Sequence, residues 1–137
     1  MKMYRVMGLI MMLLFAATGM LFLGFPDKAI AFFNGLSPSF GMPESPASGW
    51  DFYLVLAVGY MYLVTVLAFL MFRNPENIHF PLLLTHAKLA SSILSLALFL
   101  LHAHYLIYLA NFIIDGVIGI AVLAAYMKMR KAGWVYS

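Results

Sequence analysis

The chain has 137 residues, 65% of them hydrophobic and 9% charged, with a formal net charge of +3 and no cysteine. A soluble domain is about half apolar and about a quarter charged, so this composition is that of a membrane protein, a single membrane domain over residues 1–137. Without thiols, disulfides, cysteine-ligated zinc, iron–sulfur clusters and haem attached through a CxxCH motif are excluded.

Apolar runs at 5–25, 52–72, 81–101 and 105–126 each reach the roughly 20 helical residues that cross a bilayer. Lys2 and Arg5 precede the first, and small residues near Ala16 and Thr18 give it the look of a secretory signal. It is longer than a signal's hydrophobic core, which predicts an uncleaved first span. The loop 26–51 follows. In it, Asp27 to Leu36 carries Ala29, Ile30, Phe32 and Phe33, the pattern of a short amphipathic helix lying in the outer interface. The rest, with Pro38, Pro43 and Pro46, is expected to be irregular and pinned by Phe40 and Trp50. The short connection 74–80, with Pro75 and His79 in it, makes the second and third spans antiparallel neighbours, and the turn before the fourth span is shorter still. Trp50, Tyr53, Tyr105, Tyr108 and Trp134 fall near span ends, as interfacial aromatic residues do. The expected fold is therefore all-α, an integral membrane four-helix bundle with up-down connections.

An even number of spans puts Lys2, Arg5, Arg73, Lys128, Arg130 and Lys131 on one side and leaves Lys28 in the opposite loops. The bias toward positive charge on the cytoplasmic side then places both termini in the cytoplasm, as in a multi-pass protein of a bacterial-type inner membrane. This basic flank accounts for the net charge and gives no reason to expect nucleic acid as a partner.

Lipid-facing helix surfaces are apolar, so a polar stripe marks a face turned toward protein or a cavity. At about 100° per residue, Thr85, Lys88, Ser91, Ser92, Ser95 and His102 share one face of the third span, with His86 and His104 elsewhere. Tyr108, Asn111, Asp115 and Gly119 line one face of the fourth. Depth along the two helices predicts a Lys88–Asp115 ion pair, with Ser91, Ser92, Ser95 and Asn111 as the surrounding polar cluster. The alternatives are a snorkelling lysine and a protonated aspartate. Gly8, Ala16, Gly19, Ala57, Gly59, Gly116 and Gly119 mark close helix packing without a strict GxxxG.

Bis-histidine haem needs ligands on facing helices, and His86, His102 and His104 all belong to the third span or its end, so this chain alone is expected to bind neither haem nor metal. A haem shared with another subunit could use His86. A quinone or a structural lipid is the ligand class that the residue types favour. Tyr53 and Tyr60 share a face of the second span and, with His86, are the candidate contacts beside the Lys88 and Asp115 cluster. There is no GxSxG, no HExxH, no Walker A motif and no carboxylate pair, so no enzymatic activity is expected.

The segments "MGLIMMLLFAATGMLFLGFP", "AFFNGLSPSFGMP" and "NFIIDGVIG", in a layout of one long outer loop followed by three closely spaced spans, resemble the DoxX-like group of small four-span membrane proteins. The resemblance covers the whole chain in layout and transfers no functional residue. It implies a non-catalytic accessory subunit of a respiratory or other electron-transfer complex, packed against larger integral membrane subunits. The other readings are a quinone- or lipid-binding bundle and a small proton-coupled transporter using Lys88 and Asp115.

Overall fold

The computed structural model describes residues 2–46 and 51–133. Among these the chain is helical, with α1 (Lys2–Gly24), α2 (Pro26–Leu36), a single 3-10 turn (Ser37–Phe40), α3 (Asp51–Arg73), α4 (His79–Leu101) and α5 (Leu106–Lys131). Each boundary has a local cause. Pro26 cannot continue α1, but its fixed φ suits the first turn of α2, so the chain breaks at Phe25 and restarts. Gly41 closes the 3-10 turn at φ 65°, a conformation that costs glycine little. Pro81 lies in the first turn of α4, where a missing N–H breaks no helical hydrogen bond. The basic residues Lys128, Arg130 and Lys131 suit the negative end of the α5 dipole, and that helix runs on past Tyr126, where the apolar run ends.

Helices α1 and α3 form one antiparallel hairpin. A Cβ built at Gly8 would come within 3.1 Å of the Phe72 backbone nitrogen and 3.2 Å of the Ala68 carbonyl, so glycine here lets two backbones touch; toward the other end, Gly19 meets Met61. Helices α4 and α5 form the second hairpin, with Gly119 against Leu89 and Gly116 against Ser92. The hairpins join mainly along α3 and α4.

The two halves of the bundle differ. Toward the end that carries Arg5, Arg73 and Lys131, called here the basic end, Tyr4, Met11, Met71, Leu84, Val122 and Met129 pack into a continuous core. Toward the other end, the loop end, the hairpins separate, and α2 folds back to touch both α1 and α5.

Several expectations change. His79 is the first residue of α4 rather than part of the loop, and Asn77 Oδ1 accepts its backbone N–H at 2.9 Å in the turn that leads into the helix. His102 leaves the polar stripe, since α4 ends at Leu101 and the histidine is exposed in the turn. Phe40 is 62% exposed, so its ring is not what holds the outer loop to the rest of the protein. The clamp is Asn34, whose Nδ2 donates to the Ser45 carbonyl and whose Oδ1 accepts the Ser45 N–H, both at 2.8 Å. Trp50 and Trp134 lie outside the described residues.

Candidate functional site

At mid-depth the two polar stripes meet. Lys88 lies nine residues above the start of α4 at the basic end, about 14 Å at 1.5 Å per residue, and Asp115 the same distance below the start of α5 at the loop end. Antiparallel packing brings them level enough for the lysine to reach, and Lys88 Nζ donates to Asp115 Oδ1 at 2.8 Å. Both are enclosed, with side chains 3% and 6% exposed.

The predicted polar cluster surrounds this pair. Asn111 Nδ2 donates to Ser95 Oγ at 2.7 Å and to Ser91 Oγ at 3.1 Å, and Ser92 Oγ donates to the Phe112 carbonyl at 2.8 Å. Two aromatic rings complete the lysine's surroundings: Nζ lies 4.4 Å from the centroid of Phe15 and 5.1 Å from that of Tyr60. A desolvated ammonium facing rings in this way gains up to about 2 kcal/mol per contact. Tyr60 is fixed in turn by its hydroxyl, which donates to the Ala87 carbonyl at 3.0 Å and ties α3 to α4.

The ion pair forms the floor of a cleft. Where the hairpins separate, a cavity of about 1070 Å³ extends toward the loop end, at the upper limit of the roughly 300–1000 Å³ usual for ligand sites. Its walls are apolar and aromatic, with Phe15 and Phe22 from α1, Leu56 and Tyr60 from α3 and Ile107 and Ile114 from α5. Helix α2 closes one side with Ala29, Phe32 and Phe33. Lys28 also lines it, its Nζ 4.9 Å from the Phe25 ring centroid.

The candidate contacts named from sequence separate here. Tyr60 lines the cleft, whereas Tyr53 on the same nominal face is 60% exposed and lies outside the lining. His86 is exposed on the far side of α4, with Nδ1 2.8 Å from the Leu82 carbonyl. A carbonyl only accepts, so Nδ1 carries the proton of that bond. Among the described residues no group of three His, Asp or Glu side chains could hold a metal ion. Phe15 was not legible as a site residue. One phenylalanine among many in α1 becomes special only through the ammonium that packs against it.

Four helices, Met3–Gly24, Tyr53–Arg73, His79–Leu101 and Leu106–Lys131, are long and apolar enough to cross a membrane, with mean hydropathies of 1.6 to 2.4. The class so defined is a multi-pass membrane protein with an apolar cleft and a buried ion pair at its floor. No family model, curated protein or solved structure matches the chain significantly.

Proposed function

We propose that the chain is a membrane-embedded receptor for a lipid-like amphiphile, an isoprenoid quinone or a related lipid, with the tail in the cleft and the polar head at Lys88, Asp115 and Asn111. The observation that carries this reading is the cavity of about 1070 Å³, apolar along its walls and ending on a buried ion pair. A purely structural ion pair needs no such approach. A ligand binder in lipid does, because a polar head brought to mid-depth has to find partners where water is absent. Organic extraction of the purified protein followed by mass spectrometry tests it: one amphiphile in near-stoichiometric yield supports the reading, and a spread of bulk membrane lipid alone refutes it.

In this reading the basic end faces the cytoplasm of a bacterial-type cell and α2 lies in the opposite interface. Because the sequence contains no cysteine, single introduced thiols report sidedness cleanly. Ser39→Cys is expected to react with a membrane-impermeant maleimide in intact cells and Lys131→Cys only after permeabilisation. The reverse pattern would invert the orientation.

A second reading, the accessory subunit that the DoxX-like resemblance implies, is favoured by Tyr62. This residue is 73% exposed, lies about 17 Å from either end of α3, and makes no hydrogen bond among the described residues. A phenol facing hydrocarbon at that depth lacks an acceptor, which a helix of a larger membrane subunit would supply. Purification in mild detergent is expected to retain one partner at fixed stoichiometry and to lose it in Tyr62→Leu; a chain that always purifies alone removes this reading.

A further inference from the structure

The hydrogen-bonding capacity left free at the cleft floor is mostly of one kind. Lys88 donates one hydrogen bond to Asp115, and the remaining N–H groups of its ammonium face the Phe15 and Tyr60 rings. The Tyr60 hydroxyl donates to the Ala87 carbonyl, and that of Thr18, higher on the wall, to the Leu14 carbonyl. Both N–H groups of Asn111 go to serines, and the Ser91 hydroxyl also interacts with that of Tyr60.

Two acceptors remain. Among the described residues nothing donates to Asp115 Oδ2 or to Asn111 Oδ1. Neither is among the fully buried polar atoms without a partner, which are Tyr4 OH and Thr85 Oγ1, so both keep accessible surface on residues that line the cleft. The residues are one helical turn apart on α5, at i and i+4, and so share a face.

The geometry points to a ligand whose head donates hydrogen bonds: a hydroxylated head, the hydroquinone rather than the quinone form of an amphiphile. This inference rests on the cleft being a ligand site. A quinone carbonyl, an ether oxygen or an ionised carboxylate only accepts, and so offers these two acceptors nothing. A hydroxyl can donate to the open oxygen of an aspartate whose charge Lys88 already balances, a charge-assisted bond in a site screened from water.

The test uses the wild-type chain in lipid nanodiscs and three probes with the same decyl tail: a hydroquinone kept anaerobic, the corresponding quinone, and the hydroquinone dimethyl ether. Calorimetric titration is expected to show the hydroquinone binding at least about tenfold more tightly than either other probe, and Asn111→Leu is expected to reduce that preference. Equal affinity for all three, or tighter binding of the quinone or the ether, overturns the donor inference and leaves the cleft as a ligand site. No binding of any probe removes the inference together with the receptor reading. Because the three-probe comparison is made in the unaltered chain, it does not depend on how Asn111→Leu folds.

Discussion

Lys88→Met is expected to destabilise the bundle by about 3–5 kcal/mol, and Asp115→Leu by a similar amount, because each leaves one uncompensated charge where its partner had balanced it. The side chains are 3% and 6% exposed, so solvent cannot take over the lost interaction. Combining the two changes should recover most of the loss, since an apolar pair of similar size removes both charges together and the coupling within a contacting pair is not additive. Unfolding midpoints in mixed micelles of increasing denaturing detergent measure all four proteins. A double variant as unstable as the worse single one would show that the cost of each change lies in packing against Phe15 and Tyr60 rather than in the ion pair.

The same double variant carries the second large effect. Folded and apolar at the cleft floor, it should lose affinity for the amphiphile by about tenfold to a hundredfold, the range of a hydrogen bond to a charged group. Stability and binding then separate: the single variants lose both, and the double variant keeps the first and loses the second. An ion pair that served only to hold α4 to α5 would give a double variant with the ligand still bound.

How much of this could be read from the sequence depended on whether a feature follows helical geometry or arises where helices meet. The Lys88–Asp115 pair follows geometry. Polar residues recurring at 100° per residue fix a face, 1.5 Å per residue fixes a depth, and a short connection fixes which helices face each other. The bonds from Asn111 to Ser91 and Ser95 follow in the same way. The cleft does not, because it depends on where the two hairpins diverge. That is decided by contacts between α3 and α4, such as the Tyr60 hydroxyl on the Ala87 carbonyl, and the packing glycines are no more legible. Before the partner backbone is known, Gly8 looks the same as Gly59, whose added Cβ would meet nothing.

Tyr53 and Tyr60 make the same point. Seven residues apart, they share a nominal face, yet Tyr60 lines the cleft and Tyr53 does not. Periodicity gives direction around a helix but not the distance to whatever lies opposite. The outer loop is a related case: the paired bonds of Asn34 to the Ser45 backbone hold it, a contact between residues eleven apart that no local pattern announces.

The central claim, that the cleft holds an amphiphile by its head at the ion pair, is tested most directly by native mass spectrometry of the wild-type chain and of the Lys88→Met/Asp115→Leu double variant, each released from mild detergent. The account predicts a discrete additional mass on the wild-type chain, near one per protein, and its absence from an equally well-folded double variant. A bare wild-type chain, or the same adduct on both proteins, would contradict it.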